Sequence, residues 1–224
     1  MQAIIHDLNS HMTASPPQAL NPRKTPRQAR STATMEAIHA ATIQVLLSQD
    51  ASQLTTTKVA ERAGVSVGTM YQYFPNRQAL LYAVVQQHLS DISDALDIAF
   101  ERLRGKTLAA IADRLATDFL AATIPDIAAS RAIYAAASQL DVPNIESEIE
   151  TRAYTALRRL LASSSDGLFN DIDNVTFVLQ QALTGTMRAM MEPDGSAIPS
   201  PLGVMRDQLP VLCRSYLLAT AKLA

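Results

Sequence analysis

Apolar residues recur along this chain at intervals of three and four, the spacing of one face of a helix, and almost nowhere at intervals of two. Met35, Ile38, Ala41 and Val45 follow that spacing and predict a helix over about 31–48. Thr56 is then placed to cap a short helix with Val59, Ala60 and Ala63 inward, and Gly64 offers the positive φ that ends it. After a tight turn, Ser66 is placed to cap a second short helix. Its inward positions are Met70 and Phe74, four apart, with Val65 filling the elbow. Pro75 stops this helix, and Asn76 opens a long one reaching about Leu103, with Leu80, Leu81, Val84, Ile92, Leu96 and Phe100 as its apolar stripe. Two short helices joined by a glycine-containing turn form a helix-turn-helix.

Further helices are predicted near 107–123, 127–140, 144–163, 171–191 and 201–222. Polar breaks at Ile124-Pro125-Asp126, Asp141-Val142-Pro143-Asn144, Ser163 to Gly167 and Glu192 to Ser196 separate them. No alternating strand pattern and no internal repeat stands out, so the expected fold class is all-α. A polar, proline-containing segment, residues 1–22, precedes the first helix and is expected to be a mobile arm.

At 224 residues the chain can build a substantial core, and its 48% hydrophobic and 18% charged content excludes collagen-like, mucin-like and wholly disordered classes. No window approaches the roughly 18 consecutive apolar residues of a membrane span. The opening segment has no basic stretch followed by a long apolar run, so a cytoplasmic location is expected. The single cysteine, Cys213, permits neither an intramolecular disulfide nor a cysteine metal cluster, and reads as a small buried hydrophobe on a late helix.

The formal net charge of −2 conceals an asymmetry. Residues 1–80 carry seven basic side chains (Arg23, Lys24, Arg27, Arg30, Lys58, Arg62, Arg77) against four acidic ones (Asp7, Glu36, Asp50, Glu61), while the remainder is acidic. A basic front suits a polyanion, and the run Arg23 to Arg30 suits an arm tracking a phosphate backbone or minor groove.

In a helix-turn-helix the second helix enters the major groove while the first braces it. With Val65, Met70 and Phe74 inward, the outer surface of the second helix carries Val67, Gly68, Thr69, Tyr71, Gln72 and Tyr73, none of them acidic. Gly68 allows close backbone approach, and Ser66, Thr69, Tyr71 and Tyr73 offer hydroxyls to phosphates or base edges. Gln72 matches the N6 and N7 pattern of adenine, and Val67 can meet a thymine methyl. Thr55, Thr56, Thr57 and Lys58 gather donors at the start of the bracing helix, and Arg77 is expected to reach phosphate on the other side. The competing assignment makes Tyr71, Tyr73 and Phe74 core aromatics and the threonines caps.

The run Thr55-Thr56, Val59-Ala60, Ala63-Gly64-Val65-Ser66, Gly68-Thr69-Met70-Tyr71, Tyr73-Phe74, Asn76-Arg77 and Leu80-Leu81 resembles the DNA-binding pattern of the TetR family of bacterial transcriptional regulators. That resemblance covers roughly residues 27–87. It departs where the family commonly has Lys in place of Arg77, and where the loop Ser48-Gln49-Asp50-Ala51-Ser52 lacks the frequent glycine. It implies a DNA-binding domain over residues 23–87 and an effector-binding and dimerisation domain over 88–224. It further implies a homodimer, mostly acting as a repressor on a palindromic operator and released by a small-molecule effector. The last two helices would build the dimer interface through Val175, Val178, Leu179, Ala182, Met190, Leu209, Leu212 and Tyr216. Phe119, Tyr134, Gln139, Phe177, Gln181 and Thr184 are the expected effector-lining residues.

Catalysis, cofactors and metals are not expected. His6, His11, His39 and His88 are scattered, no HExxH or phosphate loop occurs, and the acid groups near 146–150 and 171–173 fit helix starts and solvated faces. A constitutive, ligand-free DNA-binding or nucleoid-associated protein is the alternative function that the residues leave open.

Overall fold

Side-chain capping sets the helix boundaries of the N-terminal half. The computed structural model describes residues 29–49, 51–140, 147–191 and 201–223; the 1–22 arm, the basic residues Arg23, Lys24 and Arg27, the Arg30 side chain, and the breaks at 141–144 and 192–196 lie outside that description. The elements in chain order are α1 (Ala29–Ser48), a 3₁₀ turn (Ala51–Gln53), α2 (Thr56–Arg62), α3 (Val67–Tyr73), α4 (Arg77–Leu103), α5 (Leu108–Thr123), α6 (Ile127–Ala137), α7 (Ser147–Ala162), β1 (Gly167–Phe169), α8 (Ile172–Met191), α9 (Pro201–Thr220) and β2 (Ala221–Leu223). Thr55 accepts from Lys58 N, Ser66 from Thr69 N and Asn76 from Ala79 N, so α2, α3 and α4 each begin at a residue that satisfies an otherwise orphaned donor. The cap of α2 is therefore Thr55 and not Thr56, which turns inward and is buried. Gly64 has φ 67°, the left-handed conformation that lets the chain leave α2 within one residue.

Two apolar cores share one long helix. The first gathers Ile38, Val45, Leu54, Val59, Met70 and Phe74 from α1 to α3 with Leu80, Leu81, Val84 and Val85 of α4. The second gathers Leu96, Phe100 and Leu103 of α4 with Leu108, Ile111 and Leu115 of α5, Leu157 and Leu160 of α7, Leu179 of α8 and Cys213 of α9. Helix α4 thus changes neighbours between Val85 and Leu96, which marks the boundary between the two cores. Ile133 and Ala136 of α6 cross that boundary, because they pack into the first core.

The expectation of no strand is corrected by a small antiparallel ladder, Gly167 to Phe169 against Ala221 to Leu223. Three residues per strand are too few for an alternating pattern to show in sequence. The turn that leads into β1 is tied to the start of α5: Ser165 N donates to Lys106 O at 3.0 Å, and Leu108 N donates to Asp166 Oδ1 at 2.6 Å. A Cβ on Gly167 would come within 3.0 Å of Leu108 Cβ, so the close backbone approach depends on glycine.

The fully buried Cys213 thiol is pushed up to about 11 by loss of solvation. Thiolate is the reactive form, so the folded protein at about pH 8 is expected to resist iodoacetamide, while the urea-unfolded chain takes one label per molecule. Mass spectrometry of both samples checks this, and rapid labelling of the folded chain would contradict the burial.

Candidate nucleic-acid interface

Helix α3 is only two turns long, and what it presents outward depends on what it anchors inward. Met70, Tyr73 and Phe74, at three and four residues apart, face the core. Val67 and Tyr71, 40% and 43% exposed, face solvent together with Gly68 and Gln72. Ser66 Oγ, besides capping α3, pairs with Thr69 Oγ1 at 2.8 Å, which fixes both hydroxyls at the start of the helix.

Tyr73 departs from the sequence reading. It is buried, and its hydroxyl shares a hydrogen bond of 3.0 Å with Ser31 Oγ of α1. The reason is its position three residues after Met70, on the same face. Tyr71 by contrast stays outside, while its hydroxyl accepts from buried Thr56 Oγ1 at 3.3 Å. That contact links bracing and recognition helices directly.

At the start of α2, Thr55 and Thr57 are exposed. Lys58 Nζ donates to Gln49 Oε1 at 2.7 Å and to Gln53 O at 3.1 Å, tying α2 to the end of α1 and the 3₁₀ turn. Arg77 is the second departure. Its guanidinium donates to Ala51 O at 2.5 Å and to Gln139 Oε1 at 2.7 Å, and its buried Nε has no partner among the described residues. The charge expected on phosphate instead bridges the 3₁₀ turn to the end of α6. No sequence signal announces this, since Arg77 and Gln139 are 62 residues apart.

Behind this unit, α4, α5, α6, α7 and α8 enclose a cavity of about 200 Å³. Phe119, Tyr134 and Thr184 line it as expected, whereas Gln139, Phe177 and Gln181 do not. Gln139 lies past the end of α6 on Arg77, and Phe177 and Gln181, one turn apart, occupy the solvent face of α8 opposite Leu179 and Leu183. The sequence reading missed His88, Ile92, Ser130, Glu150, Met187 and Arg188, which also line the cavity. The α6 members Ser130, Ile133, Tyr134 and Ala137 fall at three and four, but that stripe also reads as ordinary core. His88 is held below its ordinary pKa by burial, partly offset by Asp91.

Residues 38–84 match the family model for bacterial regulatory proteins, tetR family, and residues 107–217 match that for a tetracyclin repressor-like C-terminal domain. The chain belongs to the TetR family. The fold of this TetR-family protein is similar to a putative TetR-family transcriptional regulator from Mesorhizobium loti MAFF303099, at 18% identity and TM-score 0.66, covering 87% of this chain and 100% of that one. A tetR-family regulatory protein from Rhodococcus RHA1 matches at 15% identity and TM-score 0.58, over 82% and 96% of the two chains. SmeT, the repressor of the Stenotrophomonas maltophilia multidrug efflux pump SmeDEF, matches at 18% identity and TM-score 0.55, over 85% and 93%. No curated protein sequence matches the chain. As a TetR-family member it is a DNA-binding transcriptional regulator. Among its described residues, no helix is long and apolar enough to cross a membrane.

The geometry separates reading from bracing. Arg77→Ala is expected to lower folding stability by about 1 kcal/mol, because it leaves the part-buried Ala51 carbonyl without its donor, while exposed Gln139 returns to water. Urea denaturation reads this, and unchanged stability would show that the bridge carries no weight.

Proposed function

We propose that this protein is a homodimeric repressor that reads a palindromic operator and is released from it by a small-molecule effector. The observation that carries the proposal is the exposed face of Val67, Gly68, Tyr71 and Gln72 on a helix whose other face is locked into a core. Gln72 pairs with adenine, Val67 meets a thymine methyl, and Gly68 allows the backbone close to the groove. Ser66, Thr69, Thr55 and Thr57 contribute phosphate-directed donors, joined by Lys58 once its exposed partners yield. Tyr73, Thr56 and Arg77 act by holding α3 in position.

The dimer reading is supported by an apolar strip on the outer faces of α8 and α9. Phe177, Val178, Val204, Val211 and Leu212 are all at least 40% exposed. On α8, Phe177 and Val178 share a face at three and four with Gln181 and Gly185, and a Cβ at Gly185 would meet nothing within 4 Å, leaving room for a partner helix. Of the residues expected at this interface, Val178 and Leu212 remain available. Val175, Leu179, Met190 and Leu209 are buried within the subunit's own core. A two-fold arrangement of α8 and α9 would bury the strip in a four-helix bundle and present two α3 helices to successive major grooves.

The effector reading rests on the cavity, whose α4 wall begins at Val85, within the DNA-binding core. A ligand that prefers one arrangement of α4 shifts the spacing of the two recognition helices and weakens operator binding by its differential affinity.

Selection from a random duplex pool at low and high salt is expected to return one palindrome that survives the higher salt. Recovery of no motif, with binding lost as salt rises, would instead favour a constitutive backbone binder. On the selected operator, Gln72→Ala is expected to cost about 1–3 kcal/mol and relax preference at one base pair per half-site. An unchanged preference would remove Gln72 from the readout. Val211→Arg is expected to yield monomers in sedimentation and to abolish operator binding with the helical content retained, and a dimeric V211R protein would overturn the proposed interface.

A further inference from the structure

Ser130 is 4% exposed, lines the cavity from α6, and its Oγ has no hydrogen-bond partner among the described residues. A hydroxyl within a helix ordinarily returns its proton to the carbonyl one turn back. Thr123 and Thr184, which also line the cavity, do so at 2.8 and 2.9 Å. Ser130 does not, although the same kind of carbonyl is available one turn before it. A buried hydroxyl left unpaired is unfavourable, and it becomes favourable once a bound molecule supplies the missing partner.

The rest of the wall sets what that molecule can be. Ile92, Leu96, Phe119, Ile133, Met187 and Met191 make it apolar, and the two methionines are flexible enough to adapt to differing shapes. Two opposite charges line it, Glu150 and Arg188; both side chains are about half exposed to solvent and they face each other at 3.6 Å, so their charges offset one another away from the apolar part of the wall. His88 is kept neutral near pH 7 by burial and offers a hydrogen bond without a charge. An ion entering the apolar part of this wall beside Ser130 would lose its hydration, and would gain a counter-charge only by separating Glu150 from Arg188.

We infer that the cavity takes an uncharged, mainly apolar molecule bearing a single hydroxyl or carbonyl group, which Ser130 meets. This deepens the effector reading and rests on it for any consequence at the operator. Ser130 is the anchor, and the apolar wall supplies the remaining affinity.

The test uses the full-length protein and three probes with the same eight-carbon chain: 1-octanol, octanoate and octyltrimethylammonium. Isothermal titration calorimetry is expected to give octanol at least about tenfold tighter than either ion, because only the ions must be desolvated without a partner. Ser130→Ala is expected to weaken octanol about threefold to tenfold, the loss of one neutral hydrogen bond, while the ligand-free variant melts at the same temperature or higher. Absence of octanol binding, equal or tighter binding of either ion, or an S130A protein that binds octanol like the wild type would each overturn the inference. Operator binding is measured separately. Octanol that binds as expected without changing operator affinity removes the effector reading and leaves the ligand class standing. An ion that binds in its place and releases the operator keeps the effector reading and overturns the ligand class.

Discussion

One helix belongs to two cores. Helix α4 is 27 residues long, about 40 Å at the usual rise per residue, and its first turns are buried among the DNA-binding helices while its last turns are buried among α5, α7 and α9. A continuous helix resists bending because each displaced turn loses backbone hydrogen bonds, so movement at one end is carried to the other. Asn76 starts α4 two residues after the last core residue of the recognition unit, Phe74, which leaves almost no slack between that unit and the helix that enters the second core.

Helix α6 makes this connection double. Ile133 lines the cavity and also belongs to the first core, and Gln139 beyond the helix end holds Arg77 at the start of α4. At its other side, Arg131 Nε donates to Met190 O of α8 at 3.0 Å. Helix α6 is therefore joined to the N-terminal unit in two ways, through packing and through the arginine bridge. On the proposed effector mechanism, linkage would require the reverse as well, that DNA bias the cavity by the same free energy.

The recognition unit is small, and its precision comes from short-range bonds placed around α3. The Ser66 cap, the Thr56 to Tyr71 contact and the Ser31 to Tyr73 pair hold it from three sides, while Met70 and Phe74 anchor it below. The surface ion pairs elsewhere, such as Arg152 with Asp94 and Asp97 or Arg158 with Asp173, lie in solvent and contribute little to stability. A recognition unit held rigid by short-range bonds, and a cavity lined with flexible methionines, are opposite uses of side-chain freedom in one chain.

The amino-acid sequence by itself determined the helices, the turn between α2 and α3, and most of the exposed face of α3. Those features depend on residues within one helical turn of each other: Ser66 reaches Thr69, Gly64 ends α2, Pro75 and Asn76 separate α3 from α4. Only the tertiary structure decided what became of single side chains whose partners lie far along the chain. Tyr73 looked like a surface tyrosine until α1 lay across it, and Arg77 looked like a phosphate ligand until Ala51 and Gln139 met it. Phe177 and Gln181 lie outside the cavity and Ser130 and His88 lie in its wall, because helices with equally plausible faces pack in only one arrangement. The ladder of Gly167 to Phe169 with Ala221 to Leu223 follows the same logic, as backbone pairing between segments more than 50 residues apart leaves no periodic trace in either. Local hydrogen bonding is written in neighbouring residues, whereas burial is a property of whatever surface the rest of the chain brings opposite.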